Sequence, residues 1–460
     1  MRQWESATWA SGQTEAEVIR RVGWCVAQRA LQLTRPNDLI LLLAGKGHNG
    51  DDVRAAQEHL TDRRVELLNV KLPAACLPQL EAELGKHPAL IIDGLLGIGL
   101  DRPLDENWHA FITRLNGAQP TILAVDVPSG LQADTGKALD IAVQATVTLT
   151  IGAPKTGLIH PEAARFVGQL EVAPEVGLIP CPNATEMNWT LPDDYRSFPP
   201  ARPIASHKGD FGHLGIVAGS VGFHGAAVLA ARGAQRAQPG LLTVLTHEVT
   251  YYPVAAQLQS AMVNAWTPTT LFPGDFSALL LGPGLAAPDL PEALRTSIRK
   301  LWRDLLLPVI VDASALDWLP LEPVPRNTIR VVTPHPGEAA RMLKTTPAQI
   351  QANRPNAVRE ISKRYGNCWV VLKGHQTLIG RSTEPIRVNS SGNPHLARGG
   401  SGDLLAGFIA GLLAQPALKA DVGRTLGYAV WQHGAAADAL SARRRNWAVE
   451  DMADELGNAG

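Results

Sequence analysis

The feature that most constrains the fold of this chain is a regular alternation of short apolar runs with segments of helical length. Parallel strands need such crossovers, and helices on both faces of a sheet explain strands that are apolar throughout. In the first part of the chain we predict strands at 39–44, 65–70, 89–93, 121–127 and 146–151, and a helix at 52–60. The pattern predicts a parallel sheet between two helical layers.

A second series of the same kind follows a proline-rich, polar stretch. Its predicted strands are 213–218, 241–245, 278–281, 308–312, 330–333 and 369–372, and its predicted helices are 226–237, 290–305, 338–343 and 403–413. We therefore predict an α/β chain with a first domain at 1–180, a linker at 181–207 and a second domain at 208–460.

The charge balance argues against a nucleic-acid or membrane-surface partner. Lys and Arg number 42 against 43 Asp and Glu, whereas either partner would favour a basic face. The four cysteines are scattered and no apolar stretch approaches the length of a membrane span. We expect a cytoplasmic protein with reduced thiols.

A glycine-rich segment, ARGGSGDLLAG at 397–407, leads into the apolar helix predicted at 403–413 and places Asp403 at the start of that helix. Free N–H groups at a helix N-terminus attract phosphate. A carboxylate there repels phosphate, so Asp403 is predicted to act as the base that takes a proton from a substrate hydroxyl. The alternative is that Asp403 only caps the helix.

Two further polar segments follow predicted strands. One is KGHQT at 373–377, which offers a cation, a glycine and a hydroxyl; the other is TPHPGE at 333–338, with His335 between two prolines. Ligands of open α/β sheets bind beyond the carboxyl ends of the strands. His335 alone could be a packed loop histidine, but three such segments in one sheet favour a ligand site.

These segments, with 207–220, 281–285 and 393–407, resemble the ADP- or ATP-dependent NAD(P)HX dehydratase family, a branch of the ribokinase-like fold. The likeness covers about residues 202–460, with one departure at 237–242 (AQPGLL). It implies an ADP or ATP co-substrate with a magnesium ion. The implied nucleotide contacts are Lys373, Gly374, His375, Gln376, Thr377 and Gly402. The implied contacts with the hydrated nicotinamide nucleotide are Ala226, Gly284, His335 and Asp403. We expect Lys373→Ala to weaken nucleotide binding more than binding of the hydrated cofactor.

The loop GKGHNGDDV at 45–53 satisfies the G-x-G-x-x-G pattern of dinucleotide sites, which is a weak signal on its own. A Rossmann site also wants an acidic residue at the end of the second strand. Glu66 lies inside that strand, so we discount the pattern.

With the segments 93–104, 124–136 and 152–158, the first 180 residues resemble instead the NAD(P)HX epimerase family, a Rossmann-like three-layer fold. Asn49, Asp93 and Ser129 offer oxygen ligands that suit a hard cation, and the resemblance implies that they hold potassium. It also implies Asp126 and Lys155 as acid/base residues. The implied substrate contacts are His48, Asn49, Gly50, Asp51, Asp52, Gly97, Ile98, Gly99, Leu100, Asp101, Arg102, Pro103 and Asp126. The alternative is that these residues belong to ordinary strand-end turns.

The loop departs from the family pattern at His48, Asp51 and Val53. A carboxylate at 51, where the family has glycine, would repel a ligand's phosphates, so we expect weak, altered or absent epimerase activity. A protonated His48 beside Asp51 would partly compensate. Alternatively, Asp51 binds the cation directly and activity survives.

Taken together, the resemblances imply repair of hydrated NADH and NADPH by a homo-oligomer, such as a tetramer. The second domain would dehydrate the S epimer and the first would interconvert the R and S epimers. The alternatives are a ribokinase-like kinase of a vitamin or sugar alcohol, and a non-catalytic nucleotide sensor. The choice between ADP and ATP, and between NADHX and NADPHX, stays open.

Overall fold

The structure is a computed structural model that describes residues 1–100, 102–183, 185–266 and 275–459. The chain divides into two compact units, Met1–Ala184 and Thr185–Gly460. Each unit is built around its own mainly parallel sheet, so the predicted α/β class is confirmed. Within the described ranges, no helix combines the length and the apolar character needed to cross a membrane.

The first unit contains a six-stranded parallel sheet with the order β2-β1-β3-β4-β5-β6. Its strands are β1 (Leu39–Ala44), β2 (Arg64–Asn69), β3 (Leu90–Gly94), β4 (Ile122–Val125), β5 (Val147–Ile151) and β6 (Gln169–Ala173). Its helices are α1 (Arg2–Ala10), α2 (Glu15–Leu33), α3 (His48–Gln57), α4 (Pro73–Leu84), α5 (Glu106–Gly117) and α6 (Ala164–Val167).

Both faces of this sheet are covered, which gives the three layers that the apolar strands predict. Val26 of α2 and Val53 of α3 belong to the core on one face. Leu80 of α4 and Phe111 of α5 belong to the core on the other. Because all six strands are parallel, the residues that follow them meet at one edge of the sheet.

The second unit contains a ten-stranded sheet with the order β10-β9-β8-β11-β12-β13-β14-β15-β16-β7. Its strands are β7 (Met187–Trp189), β8 (His213–Val217), β9 (Leu241–His247), β10 (Met262–Trp266), β11 (Ala278–Leu281), β12 (Val309–Val311), β13 (Arg330–Val332), β14 (Trp369–Leu372), β15 (Leu378–Gly380) and β16 (Ile386–Val388). Among the strands that the structure describes in this sheet, only β15 pairs antiparallel to its two neighbours. The stretch that we expected to be a linker contributes β7, which pairs with β16.

The helices of the second unit cover both faces of its sheet. They are α7 (His224–Arg236), α8 (Tyr251–Ala255), α9 (Glu292–Asp304), α10 (Pro336–Leu343), α11 (Pro347–Ala352), α12 (Arg354–Arg364), α13 (Ser401–Leu413), α14 (Val422–Arg443) and α15 (Val449–Glu455). Phe408 of α13 lies in the core on one face. Trp302 of α9 lies in the core on the other.

Candidate active sites

The position of Asp403 is fixed by the packing of α13 against α7. A Cβ on Gly407 would lie 1.8 Å from the carbonyl oxygen of Ala230, and a Cβ on Gly233 would lie 2.0 Å from that of Leu404. The two helices therefore touch backbone to backbone. Gly400 caps α13 in the left-handed region, with φ +89°. Asp403 follows in the first turn, at the carboxyl edge of the sheet, as the sequence predicts.

Asp403 belongs to a cluster of three carboxylates around one lysine. Lys373 Nζ donates to Asp312 Oδ1 at 2.7 Å and lies 3.9 Å from Glu338 Oε2. Thr333 Oγ1 donates to the same Asp312 oxygen at 2.7 Å. Lys373 also interacts electrostatically with Asp403. The cluster unites the three polar strand ends noted in the sequence.

The cluster controls the ionisation of its members. Burial raises the pKa of Asp403 to about 7, Asp312 and Glu338 act in the same direction, and Lys373 opposes them. Burial acts to lower the pKa of Lys373, but its carboxylate neighbours outweigh it, so that pKa is raised. A carboxyl group with a pKa near neutrality can both accept and release a proton at physiological pH.

His335 is the N-cap of α10 rather than a free ring. Its Nδ1 accepts from Gly337 N at 3.0 Å, and its own N donates to Glu338 Oε2 at 2.8 Å. The capping box also holds Glu338 beside Lys373. Just over half of the His335 side chain is exposed, with Nε2 3.6 Å from Glu338 Oε1.

The segment Lys373–Thr377 forms a tight turn after β14. Gly374 has φ +139° and Gln376 has φ +51°, and Thr377 Oγ1 donates to the carbonyl of Gly374 at 3.0 Å. Gln376 Nε2 is buried without a hydrogen-bond partner. Gly402 adjoins this turn, because a Cβ there would lie 3.2 Å from Lys373 Nζ. The structure thus brings together Gly402 and the start of the KGHQT segment.

Ala226 and Gly284 also lie side by side, at the start of α7. Gly284 has φ +66°, and a Cβ there would lie 2.9 Å from the Cβ of Ala226. The buried Ser220 fixes this contact, since its Oγ donates to the carbonyl of Gly284 at 2.6 Å. Ser220 was missed as a supporting residue, although it ends the segment 207–220.

In the first unit, Asp126 and Lys155 form a buried ion pair. Lys155 Nζ also donates to Thr150 Oγ1 at 3.0 Å and to the carbonyl of Ile151 at 3.1 Å. Asp126 adopts a left-handed backbone, with φ +64°, which is uncommon for a residue other than glycine. The predicted acid/base residues are therefore in direct contact.

The three predicted cation ligands also converge. Asp93 is fully buried and accepts from Ser129 Oγ at 2.6 Å and from Ser129 N at 2.9 Å. Asn49 Nδ2 donates to the carbonyl of Leu96 at 3.0 Å, while its Oδ1 is buried without a partner. Burial raises the pKa of Asp93, although its bonds from Ser129 oppose the shift. A buried oxygen without a donor fits a bound cation.

Of the residues expected to contact the substrate, Gly97 lies beside the predicted cation ligand Asn49. A Cβ on Gly97 would lie 3.4 Å from the Cβ of Asn49. Ile98, Gly99, Leu100, Arg102 and Pro103 continue the same loop, whereas Asp101 lies outside the described residues. Gly50 packs against Gly45, since a Cβ there would lie 2.2 Å from the carbonyl of Gly45.

Two expectations about the loop 45–53 are corrected by the structure. The helix begins at His48 rather than at 52, and His48 Nε2 pairs with Glu15 Oε1 at 2.8 Å rather than with Asp51. Asp51 instead pairs with Arg54 at 2.7 Å, one helical turn later. Arg54 also donates to the carbonyl of Gly45 at 2.6 Å. The charge of Asp51 is therefore offset within its own helix.

Asp52 is the buried carboxyl group of this loop. Only 5% of the residue is exposed, and its carboxyl group makes no hydrogen bond or ion pair with any residue that the structure describes. Burial and the nearby Asp126 raise its pKa well above the usual value, while Lys155 opposes the shift. Burial thus favours the protonated form of Asp52, which lies near the Asp126–Lys155 pair.

Among the described residues, no three or more His, Cys, Asp or Glu side chains are arranged to hold a metal ion. The predicted potassium ligands Asn49, Asp93 and Ser129 are not such a group, because two of the three are Asn and Ser.

Two family models match the chain. The model for NAD(P)H-hydrate dehydratase matches residues 214–458. The model for the YjeF-related protein N-terminus matches residues 64–157, which begins after the divergent loop.

The chain is also similar to curated proteins over nearly its whole length. A bifunctional NAD(P)H-hydrate repair enzyme from Gloeobacter violaceus is 32% identical over 99% of this chain and 95% of its own length. The bifunctional NAD(P)H-hydrate repair enzyme of Escherichia coli K12 is 34% identical over 77% of this chain and 68% of its own.

Two solved structures resemble the second half. An ADP/ATP-dependent NAD(P)H-hydrate dehydratase from Bacillus subtilis, co-crystallised with ATP/Mg²⁺, is 30% identical with a TM-score of 0.52, covering 60% of this chain and 95% of its own. A ribokinase-like superfamily protein from Enterococcus faecalis V583 is 25% identical with a TM-score of 0.52, covering 60% of this chain and 96% of its own.

Proposed function

Because this chain belongs to the family of bifunctional NAD(P)H-hydrate repair enzymes, we propose that its two catalytic domains, 1–180 and 208–460, repair hydrated NADH and NADPH. The second domain dehydrates the S epimer with ADP or ATP, and the first interconverts the epimers. The observation that carries the dehydratase assignment is a partly buried carboxyl group, Asp403, whose pKa is raised to about 7 in the first turn of a helix. Incubating the S epimer with ADP and Mg²⁺ tests it: NADH, AMP and phosphate should form in equal amounts.

The dehydratase reaction needs a base and a leaving group. Asp403 takes the proton from the hydroxyl group of the hydrated cofactor while the oxygen of that hydroxyl attacks the terminal phosphorus of the nucleotide. Phosphate then leaves with its C–O bond electrons, helped by the ring nitrogen's lone pair, and loss of a ring proton restores the double bond. Lys373 holds the carboxylates around Asp403 together and offers positive charge to the transferred phosphoryl group.

The pH dependence should follow the ionisation of Asp403. With a pKa of about 7, the base is protonated and inactive at lower pH. We predict that kcat/KM for the hydrated cofactor falls about tenfold per pH unit below neutrality. Asp312→Asn removes a negative charge that raises this pKa, so the fall should move to lower pH. A flat profile through neutrality would contradict this role of Asp403.

A small-molecule kinase of the same fold is the alternative function. A kinase leaves a stable phosphorylated product, whereas the repair reaction releases inorganic phosphate and recovers the absorbance of NADH. A stable phosphorylated product from the hydrated cofactor would favour the kinase.

The epimerase half requires loss and return of water at a carbon next to the ring nitrogen. Asp52, whose protonated form is favoured by burial, can give its proton to the leaving hydroxyl while the nitrogen lone pair forms a C=N bond. Water then attacks the other face and gives its proton to Asp126, which Lys155 orients. The potassium ion would be held by Asn49, Asp93 and Ser129. Its positive charge would favour binding of the substrate's phosphates near this site. The roles reverse for the opposite direction, as an epimerase requires.

The Asp51–Arg54 pair changes the expectation for the divergent loop. Two like charges about 4 Å apart at an effective dielectric near 20 repel by roughly 4 kcal/mol before screening, but Arg54 offsets this charge. We predict that Arg54→Met slows epimerisation, because the charge of Asp51 is then no longer offset. Since Asp51 is partly exposed and solvent screens its charge, we expect the rate to fall by only about tenfold.

The double variant Asp51→Asn/Arg54→Met should restore the rate. Arg114→Met, which breaks the exposed pair of Arg114 with Glu81 in the same unit, is the matched control and should leave the rate unchanged. An unchanged rate in Arg54→Met would show that Asp51 does not face the substrate.

The proposal also covers the cellular compartment and the oligomeric state of the enzyme. All four cysteines are free thiols, which supports a reducing compartment such as the cytoplasm. A homo-oligomer such as a tetramer is the proposed state, and light scattering on the purified chain measures it.

A further inference from the structure

Arg354 supports the KGHQT turn from beneath. It is the first residue of α12 and only 7% of it is exposed. Its Nη2 donates to the carbonyl of Leu372 at 3.2 Å, and its Nη1 donates to the carbonyl of His375. The two carbonyls flank Lys373 and Gly374. One guanidinium thus fixes both ends of the turn.

The charge of Arg354 has no carboxylate partner. No Asp or Glu forms an ion pair with it among the residues that the structure describes, and its Nε is buried without a hydrogen-bond partner. Burial lowers its pKa to about 10, so it stays charged at neutral pH. Buried charges are ordinarily paired or fully hydrogen-bonded, and Arg354 is neither, so an anion bound nearby would balance its charge.

Gly374 is what separates this charge from solvent. A Cβ on Gly374 would lie 3.4 Å from Arg354 Nη2, and the glycine itself is exposed with φ +139°. An anion resting on the backbone of Gly374 would therefore approach the guanidinium closely. Burial is the main cause of the lowered pKa of His375, and the positive charge of Arg354 lowers that pKa further.

We propose that Arg354 is a positioning residue for the nucleotide co-substrate: it sets the backbone of the turn 373–376 and places a positive charge beneath it for the polyphosphate. The inference rests on the proposed function only in naming the nucleotide as ADP or ATP. It assigns Arg354 no part in the chemistry at Asp403.

Arg330 provides a matched control, because it is an equally buried guanidinium that also contacts backbone carbonyls. It is 1% exposed and donates to the carbonyls of Trp302 at 2.7 Å and of Leu307 at 3.1 Å. It begins β13, however, at the edge of the sheet opposite the cluster around Asp403. Arg330 should matter for stability and not for the nucleotide.

The test uses the full-length chain with Arg354→Met, Arg354→Lys and Arg330→Lys. Calorimetry with ADP–Mg²⁺ and with hydrated NADPH gives both affinities, and thermal unfolding shows that each variant is folded. We expect Arg354→Met to weaken ADP binding about tenfold or more and hydrated NADPH binding much less, because the turn loses both backbone contacts with Arg354 and the polyphosphate loses a nearby positive charge. Its ADP affinity should also depend less steeply on salt. Arg354→Lys should recover part of the affinity.

Arg330→Lys should lower the melting temperature and leave ADP affinity unchanged. Equal losses for both ligands in Arg354→Met, or an unchanged ADP affinity in a folded Arg354 variant, would overturn the inference. If Arg354→Met does not fold, Arg354→Lys and its salt dependence decide. A wild-type chain that binds ADP through Arg354 but turns over no hydrated NADPH would refute the proposed function and leave this inference standing.

Discussion

Replacing Asp403 with asparagine is expected to lower dehydration of the S epimer by about 10²-fold or more while ADP binding is retained. Asparagine keeps the size of the side chain and removes its ability to accept a proton. It also removes one of the three negative charges around Lys373, so the nucleotide should bind as well as before or better.

The control for this variant is Asp451→Asn. Asp451 also lies in the first turn of a helix, α15, but its contacts are with Ala448 N and Arg444. Loss of that cap should lower stability by roughly 1 kcal/mol without changing kcat. If Asp403→Asn keeps a substantial part of the wild-type rate, Asp403 is a helix residue and not the base.

The second large effect is expected for Asp126→Asn, which should slow epimerisation by about 10²-fold or more. Asparagine tolerates the left-handed backbone at this position, and its oxygen can still accept from Lys155. What is lost is the carboxylate that receives a proton from the attacking water. The dehydratase domain of the same molecule is the internal control, since its rate on the pure S epimer should not change.

An assay with a mixture of both epimers measures this effect directly. The Asp126→Asn enzyme with ADP should consume the S epimer promptly and leave the R epimer to react at its uncatalysed rate. If the whole mixture disappears as fast as with the wild type, proton transfer does not depend on Asp126.

The sequence was sufficient to predict the architecture because buried parallel strands are apolar throughout. Runs such as 39–44 and 369–372 were recognisable on composition alone. The strands β15, β16, β7, β6 and β10 were not predicted, because polar residues or a glycine interrupt their short apolar runs. The third of these lies in a stretch whose prolines and polar residues indicated a linker.

The positions of candidate site residues were predictable from the sequence where those residues follow strands, whereas contacts between side chains distant in the sequence were not. Asp403 and the KGHQT segment were found from the sequence, whereas the contact of Lys373 with Asp312 joins two strand ends 61 residues apart. Glu338 was visible in TPHPGE, but its role follows from the capping box. The Asp51–Arg54 pair spans one helical turn and could have been predicted, had the helix been started at His48.

The most direct test of the central claim is one progress curve. The purified wild-type chain is given ADP, Mg²⁺ and a mixture of both epimers of hydrated NADH, and the recovery of NADH absorbance is followed. A chain that both epimerises and dehydrates converts the whole mixture to NADH in one prompt phase. Recovery of the S fraction alone would contradict the claim for the first domain, and no ADP-dependent recovery at all would contradict the claim for the whole protein.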